Sequence, residues 1–411
     1  MGHDVAREER RQGRNQESES VLTPYASATS CGIRIASTSK KTVPEAVAEL
    51  AAGLGSARFQ HLIAFFSVDH PAAELAAALT AAFPDARIDG CSTAGEIAPC
   101  GMMDGGIVLV AFPEQGFRIL TDVIEDIEAC GVERATEIVR RLKSQFTRGE
   151  GCREPLRDRV FALMLVDGLS NSEENLVAAI NWAIDDVQLI GGSAGDGLAF
   201  RQTALIHDGE VYNRAALLIM VESAFPFRVF KTQNFEPTPI KLVVTAADTE
   251  NRVVHELNAE PAAREYAAAI GLLPDDLGPF SFASYPLVVK VGGDYYCRSI
   301  RNMNPDGSLS FFCAIDEGLV FTVARPQDMV SSTQTTLSEI ENSLGGIDLV
   351  IGFDCVLRRL DAENRQIRRQ VDAVYQKYGV VGFHTYGEQY NAMHLNQTLT
   401  GIAFGAKRAI A

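Results

Sequence analysis

One short pattern recurs three times in the chain, each time after an apolar segment that is typical of a buried strand. A hydroxyl residue is followed, after one variable residue, by glycine and then by a carboxylate, at residues 93–96, 193–196 and 385–388. In each case a strand and a helix are predicted before the second strand that leads into the pattern, and a further strand follows it. The sequence therefore predicts three related units, each of strand, helix, strand and strand.

The predicted units span residues 61–112, 160–221 and 349–404. Each opens with an apolar run, such as His61–Val68, that is typical of a strand buried on both faces. Their helices are predicted at residues 72–83, 172–185 and 361–378. Because the pattern returns at the same place in the same element order, genuine internal repetition is favoured over chance.

The recurring turns have a structural and a functional interpretation. Glycine supplies a positive φ or a close approach of the backbone, and the hydroxyl and carboxylate then bind exposed backbone N–H groups. We favour this structural role for Thr93, Glu96, Ser193 and Asp196. The alternative is that the turns gather at one end of a sheet and line a ligand cleft. The ligand-binding residues of that alternative are Thr93, Glu96, Ser193, Asp196, Thr385 and Glu388.

The chain between the second and third units has a different character. It contains a predicted hairpin and a β meander with the turn signal Asn304–Gly307. A chain of 411 residues also exceeds one ordinary core. We therefore predict an α+β fold of two domains, built partly from the repeated β-α-β-β units with mixed sheets. The expected domains are residues 31–240 and 241–411, after a disordered tail at residues 1–30.

Composition restricts the function classes. The formal net charge of −16 disfavours nucleic acid as a partner, because a phosphate backbone would be repelled. No run approaches the roughly 20 apolar residues of a membrane helix, and the charged start lacks the apolar core of a signal peptide. We therefore expect a cytoplasmic protein that is not in a membrane. The eight cysteines form no Cys-x-x-Cys, so reduced thiols are expected rather than a zinc site.

Four segments resemble a known family. Residues 90–97 and 191–197 resemble the paired signature turns of the FIST N-terminal domain. Residues 382–390, followed by His-Leu-Asn-Gln-Thr at 394–398, resemble the end of the FIST C-terminal domain. The resemblance extends from about Gly32 to the C-terminus. It implies a sensory input module that binds small ligands and is not an enzyme.

The C-terminal segment is particularly similar to the NosP branch of that family, which consists of nitric-oxide-sensing haemoproteins. This resemblance implies haem b as cofactor, nitric oxide as ligand, and regulation of a partner histidine kinase, diguanylate cyclase or cyclic-di-GMP phosphodiesterase. A homodimer is a possible assembly. Nitric oxide would act by shifting an equilibrium between two conformations, which requires different affinities for the two.

Haem needs one strong axial donor, usually histidine, and an apolar slot. Of the seven histidines, we expect His394 to ligate the haem iron, with a structural hydrogen-bonding role as the alternative. His384 is the second candidate, and Tyr386 or Tyr390 would suit ferric haem. Asn396 lies close in sequence and completes the expected cofactor-binding set. His61 and His70 flank a strand and a turn, so both are expected to be solvated.

Two further expectations complete the sequence analysis. The haem propionates would need cations, and Arg298, Arg301, Arg358 and Arg359 are candidates, although solvated surface charge is the default for each. Without haem, the six turn residues would bind a small polar metabolite that resembles an amino acid. An enzyme is disfavoured, since the chain has no Gly-x-Ser-x-Gly, His-Glu-x-x-His or Walker sequence.

Overall fold

The computed structural model describes residues 25–147 and 155–406. Residues 1–24, most of the predicted disordered tail, lie outside the described residues. The fold is α+β with mixed sheets and repeated units, as predicted. Among the described residues, no helix is both long and apolar enough to cross a lipid bilayer.

The first repeat begins with a strand that pairs with its neighbour at the edge of a sheet. Its elements are β1 (Tyr25–Ala28), β2 (Arg34–Thr38), α1 (Val43–Leu54), β3 (His61–Phe66), α2 (Ala72–Ala82), β4 (Arg87–Ser92), β5 (Glu96–Ala98), β6 (Gly101–Met103) and β7 (Ile107–Phe112).

The second repeat has the same order, and its first strand, first helix and last strand are longer than those of the first repeat. Its elements are β8 (Phe117–Ile124), α3 (Val132–Thr147), α4 (Leu156–Arg159), β9 (Val160–Asp167), α5 (Glu173–Ile184), β10 (Gln188–Ala194), β11 (Leu205–His207), β12 (Glu210–Tyr212) and β13 (Ala216–Ser223).

The third repeat is interrupted after its first strand, β14 (Phe227–Gln233), by an inserted module at residues 235–326. The module contains β15 (Phe235–Asp248), β16 (Val253–Leu257), β17 (Glu260–Pro261), α6 (Ala262–Ile270), α7 (Pro279–Ser284), β18 (Leu287–Val291), β19 (Asp294–Arg298), β20 (Ile300–Met303), β21 (Leu309–Phe311) and β22 (Val320–Pro326). The repeat then resumes with α8 (Met329–Leu344), β23 (Ile347–Cys355), α9 (Val356–Asn364), α10 (Arg368–Tyr378), β24 (Val380–Thr385), β25 (Glu388–Tyr390), β26 (Met393–Leu395) and β27 (Thr398–Gly405).

The three repeats share one strand order. Four strands of each lie side by side as β2-β7-β3-β4, β8-β13-β9-β10 and β14-β27-β23-β24. The last two strands in each series are parallel and the others are antiparallel. In sequence, each repeat therefore runs strand, helix, strand, helix, strand, hairpin and strand. Compared with the predicted unit, this adds one strand and one helix at the start and a hairpin before the last strand.

The hairpins are exchanged between repeats in a cycle. The first repeat's hairpin, β5–β6, adds to the third repeat's sheet through β24. The second repeat's hairpin, β11–β12, adds to the first repeat's sheet through β4. The third repeat's hairpin, β25–β26, adds to the second repeat's sheet through β10. Each sheet is therefore completed by another repeat, and the three repeats form one body.

Each sheet of this body has one face towards a shared core and one towards its own helices. Along β3, Ile63 and Phe65 belong to the shared core, while Leu62, Ala64 and Phe66 pack against α1 and α2. This follows from the two-residue period of a strand. Rings of different repeats meet in the core, where the centroids of Phe65 and Phe383 are 4.8 Å apart.

Two predicted elements are divided in the structure. The predicted helix 361–378 is two helices, α9 and α10, with Gln366 at φ 59° between them. The predicted strand 86–97 is β4 followed by β5, which lie in different sheets. Residues 365–367 separate the two helices, and residues 93–95 separate the two strands.

Candidate functional site

The three turns that carry the recurring pattern meet at one place, which we call the junction. The first turn comprises residues 92–96, the second 192–197 and the third 384–388. Between the first and third turns, the Ala94 amide donates to the His384 carbonyl at 2.9 Å, and the His384 amide donates to the Gly95 carbonyl at 2.7 Å.

The second turn completes the cycle of backbone bonds. The Ser193 amide donates to the Gly387 carbonyl of the third turn at 2.8 Å. The Gly195 and Gly197 amides donate to carbonyls of the first turn, at 3.1 and 3.2 Å. Since the turns follow the ends of parallel strand pairs, the junction lies where the carboxyl ends of all three pairs converge.

In the first turn the hydroxyl and the carboxylate are bonded to each other. The Thr93 hydroxyl donates to Glu96 Oε1 at 2.5 Å, and the Gly106 amide donates to Glu96 Oε2 at 3.0 Å. Burial raises the pKa of Glu96 to about 7, against the opposing effect of these two hydrogen bonds.

The third turn repeats this arrangement. The Thr385 hydroxyl donates to Glu388 Oε1, and the amide and hydroxyl of Thr398 donate to Glu388 Oε2 at 3.3 and 2.6 Å. Burial raises the pKa of Glu388 to about 8 despite these donors. Every oxygen of these two carboxyl groups therefore accepts at least one hydrogen bond from a neighbouring residue.

The second turn differs from the other two, because its polar side chains bond outside the turn. Ser193 Oγ accepts from Gln389 Nε2 at 2.9 Å. Asp196 accepts the backbone amides of residues 200–202 and the Tyr386 hydroxyl. The second and third turns are therefore joined by side chains as well as by backbone.

The recurring glycine is required for different reasons in different turns. Gly95 has φ 127°, a conformation that L side chains rarely adopt. Gly387 has no positive φ, but a Cβ there would lie 2.3 Å from His394 Cε1 and 2.6 Å from His394 Nε2. Glycine at 387 is thus dictated by the packing of the His394 ring.

A cleft of about 380 Å³ opens beside the junction and is lined by all three repeats. Thr93 and Glu96 come from the first turn, Asp196 from the second, and Arg359 from α9. The carboxyl-bearing residues in its lining are Asp69, Glu96, Asp104, Asp196 and Glu363. Of the six predicted turn residues, three therefore line the cleft, while Ser193, Thr385 and Glu388 are fully buried beside it.

The single arginine of the cleft is already paired. Arg359 Nη1 lies 2.6 Å from Asp104 Oδ1, and Arg359 Nε lies 2.9 Å from Glu363 Oε1. The same guanidinium donates to the Ala94 carbonyl of the first turn at 3.2 Å. Arg368 also lies 4.0 Å from Asp104 and 3.4 Å from Glu363, so the two arginines neutralise only part of the acidic lining.

The predicted haem-ligand residues are distributed over the junction. His384 is fully buried, with Nδ1 3.5 Å from Asp354 Oδ2, and burial lowers the pKa of His384 well below its usual value. The Tyr386 ring lies against Phe200, with centroids 4.7 Å apart. Tyr390 is half-buried and has Lys231 Nζ 6.0 Å from its ring centroid.

His394 lies on β26 with 2 % of its surface exposed. Its Nδ1 is 3.2 Å from Gln389 Nε2, whose amide group also donates to Ser193. With Gln389 as donor, the neutral imidazole carries its proton on Nε2. Burial lowers the pKa of His394 to about 4, so the ring is neutral at pH 7.

Three buried polar atoms of this hairpin region have no hydrogen-bond partner among the described residues: Gln389 Oε1, His394 Nε2 and Asn396 Oδ1. The other end of the Asn396 amide donates to the Tyr386 carbonyl at 3.2 Å. Buried polar groups without hydrogen-bond partners reduce the stability of the fold. Three such atoms in one hairpin therefore call for an explanation other than packing.

The residues around His394 do not fit haem in this conformation. The donor is present, but Nε2 carries the proton, and freeing its lone pair requires the Gln389 amide to turn over so that Nδ1 holds the proton. The ring also packs against the backbone of Gly387 and is nearly inaccessible. An iron-bound macrocycle would reach it only after the surrounding side chains moved.

Three residues expected to be solvated are instead buried, and one of them, His70, is 1 % exposed. Arg358 is fully buried and donates to Asp354 Oδ1 and Asn234 Oδ1, each at 2.6 Å, so the surface interpretation is wrong for it. His61 is 1 % exposed, with Nε2 2.7 Å from Asp89 Oδ2. For Arg358 the sequence held a signal, an aspartate four residues before it.

The inserted module is held to the body by a buried ion pair that no local pattern in the sequence indicates. Arg252 of the module lies 3.0 Å from Glu173 and 2.5 Å from Glu174, both at the start of α5. Burial raises the pKa of Glu173 to about 7, against the attraction of Arg252. A second link joins α7 to α9, where the Ser284 hydroxyl donates to Asp361 at 2.9 Å.

Two family models and one relative match the chain. Residues 60–260 match the FIST N domain and residues 262–391 match the FIST C domain. A protein of Methanocaldococcus jannaschii, described as uncharacterized, is 25% identical over 353 residues, which cover 77% of this chain and 67% of that protein. The matched domains include the three turns and most of the inserted module. The chain belongs to the FIST family of sensory proteins.

Proposed function

We propose that the protein senses a small ligand that binds in the cleft beside the junction. The observation that carries this proposal is that all three repeats line one cleft of about 380 Å³. A ligand in the cleft touches each repeat, so its binding favours one arrangement of the three turns over another. Such a difference in affinity is what a sensor requires.

The chemistry of the lining favours a ligand with an ammonium group, such as an amino acid. Asp69 is exposed at the cleft, and the structure gives it no ion pair among the described residues. Ser67 and Thr93 add hydroxyl groups to the lining. An ammonium group offers three donors, which suits a surface of carboxylate and hydroxyl oxygens.

Calorimetric titration with a panel of amino acids and small amines tests this proposal. Asp69→Asn removes one cleft charge without breaking an ion pair, and we expect about a tenfold loss of affinity, or ~1.4 kcal/mol. Asp276→Asn, in an exposed part of the module, is the matched control and should bind as the parent does. Equal affinities for all three proteins would refute the cleft as the site.

A second candidate ligand is haem, with nitric oxide as the sensed gas, as the resemblance of the C-terminal segment to NosP implies. It is favoured by one observation, that His394 is a buried histidine and neutral at pH 7, and ligation through Nε2 would require the Gln389 amide to turn over first. Haem bound there would supply an iron centre for a diatomic gas. Reconstituted protein should then show a Soret band that moves with nitric oxide and is lost in His394→Ala; absence of stoichiometric uptake eliminates haem.

We propose further that the sensor acts on a histidine kinase, a diguanylate cyclase or a cyclic-di-GMP phosphodiesterase. The support is again the likeness of residues 382–398 to NosP. Adding the protein, with and without its ligand, to purified candidate enzymes and measuring their rates tests this step. A ligand that leaves every rate unchanged would contradict it.

A further inference from the structure

A second cavity, of about 540 Å³, lies where the second repeat passes into the third. Its lining comes from the start of β8, the end of α4 and residues 222–227, which join β13 to β14. The cavity lies at the amino end of β9, whereas the junction follows the carboxyl end of that strand. Since β9 has 8 residues, the two sites are roughly 25 Å apart. The volume is in the range of small-molecule sites.

Three phenylalanines line this cavity: Phe117, Phe225 and Phe227. The rings of Phe117 and Phe225 are stacked, with centroids 5.4 Å apart. Phe227 is the most exposed of the three, and its ring lies against Phe161 of β9, with centroids 5.1 Å apart. Because aromatic rings pack favourably against one another, this lining favours a ligand with a flat aromatic ring.

Arg159, which also lines the cavity, has a hydrogen-bond donor without an acceptor. The residue is 8 % exposed. Its Nη1 bonds to Glu222, and its Nη2 donates to the Phe146 carbonyl at 3.1 Å. Its Nε is buried and has no partner among the described residues. A buried N–H without an acceptor lowers stability, so a ligand that brings an oxygen to this atom binds more tightly.

The charges of the lining favour an anion as that acceptor. Glu222 is paired with Arg159, and Asp158 has a neighbouring arginine 3.8 Å away. Arg118 lies opposite Glu222 in the pairing of β8 with β13, but its guanidinium lies over the Phe146 ring, with Cζ 5.3 Å from the centroid. Arg118 is exposed and forms no ion pair within the described part of the chain. Both guanidinium groups therefore contact Phe146, and only that of Arg159 has a carboxylate partner.

We propose that this cavity binds an aromatic carboxylate, with its ring against Phe227 and its carboxylate held by Arg118 and by Nε of Arg159. A guanidinium matches a carboxylate in both charge and donor geometry. The site is separate from the acidic cleft, and its ligand touches the second and third repeats at the segment that joins them. The proposal does not depend on what binds beside the junction.

Calorimetric titration of the full chain with phenylacetate as the probe tests this proposal. Phenylacetamide has the same ring without the charge, and acetate has the charge without the ring. Arg118→Gln removes the unpaired guanidinium from an exposed position, which the fold should tolerate. Arg159→Lys keeps a cation for Glu222 but removes the Nε donor. Arg140→Gln is the matched control, because Arg140 is an exposed arginine of α3 outside the lining.

We expect phenylacetate to bind about tenfold more tightly than phenylacetamide or acetate. Arg118→Gln and Arg159→Lys should each weaken its binding about tenfold, whereas Arg140→Gln and Asp69→Asn should leave it unchanged.

Equal binding of phenylacetate and phenylacetamide would refute the role of charge, and equal binding of phenylacetate and acetate would refute the role of the aromatic lining. The proposal also fails if phenylacetate does not bind, or if Arg118→Gln binds it as tightly as Arg140→Gln does. Weaker binding in Asp69→Asn would place phenylacetate in the acidic cleft instead.

Discussion

The contact between Gly387 and His394 makes a sharp prediction about Gly387→Ala. A Cβ at 387 would lie 2.3 Å from His394 Cε1, far inside ordinary contact, and the ring is enclosed by Gln389 and the junction. Overpacking of this kind costs about 1–3 kcal/mol of unfolding free energy. The conformation itself is no obstacle, since Gly387 is absent from the residues with positive φ.

The double substitution tests the cause. His394→Ala alone should destabilise, because it leaves a cavity and removes the acceptor of the Gln389 amide. In the His394→Ala background, Gly387→Ala should cost much less than in the parent, which gives a favourable coupling of about 1–3 kcal/mol. Gly131→Ala is the control, since nothing lies within 4 Å of a Cβ there.

Urea unfolding of the four proteins in the cycle, followed by circular dichroism, measures these free energies. If Gly387→Ala is as mild as Gly131→Ala, the ring does not occupy the position described. If Gly387→Ala is severe but His394→Ala does not relieve it, the clash is with the backbone or with Asn396 instead. Either result would refute the reasoning about what fixes this glycine.

Two further predictions concern buried charge. Arg252→Met should lower the unfolding free energy by about 3–5 kcal/mol, because it leaves Glu173 and Glu174 without their cation. Arg264→Met, the control, should change it by less than about 0.5 kcal/mol. A similar loss in both variants would contradict the role of Arg252 in holding the module to the body. Glu388 has a folded pKa of about 8, raised by burial above 4.5, so its stabilising effect is complete below pH 4.5 and is lost as pH rises through 8. Stability should therefore fall between pH 6 and 8.5 by roughly 2–3 kcal/mol more in the parent than in Glu388→Gln, at about 1.4 kcal/mol per pH unit up to the folded pKa. Equal pH profiles would show that Glu388 is already ionised in the fold.

The sequence predicted the repeats because their signals are local. Apolar runs such as His61–Val68 identify strands without reference to distant residues, and glycine with a neighbouring carboxylate marks the turn between elements. Helix α3 was not predicted, although its buried positions recur at helical spacing at Ala135, Ile138, Val139 and Leu142. That signal was present in the sequence.

The exchange of hairpins was not predictable from the same signals. Strands β5, β11 and β25 have three residues each, too few to show a period, and their partners lie in other repeats. The position of the inserted module within the third repeat was not predictable for a similar reason. A composition change near residue 240 marks where the module begins, but only pairing with β27 shows that β14 belongs to the third repeat.

The candidate site, too, could be predicted only where its signals are local in the sequence. The turn residues and His394 could be chosen as candidates from the sequence, because unusual polar residues follow apolar strands there. It did not identify Asp69, Arg359 or Gln389 as their neighbours, because those contacts are made between repeats. The protonation of His394 depends on the orientation of one amide, a detail that no spacing in the sequence encodes.

The most direct test of the central claim is hydrogen–deuterium exchange of the three turns, measured with and without the amino acid or amine that binds best in calorimetry. We expect a cleft ligand to slow exchange in all three turns at residues 92–96, 192–197 and 384–388, and Asp69→Asn to require about tenfold more ligand for the same protection. Protection confined to one turn, or unaffected by Asp69→Asn, would contradict a shared ligand site at the junction.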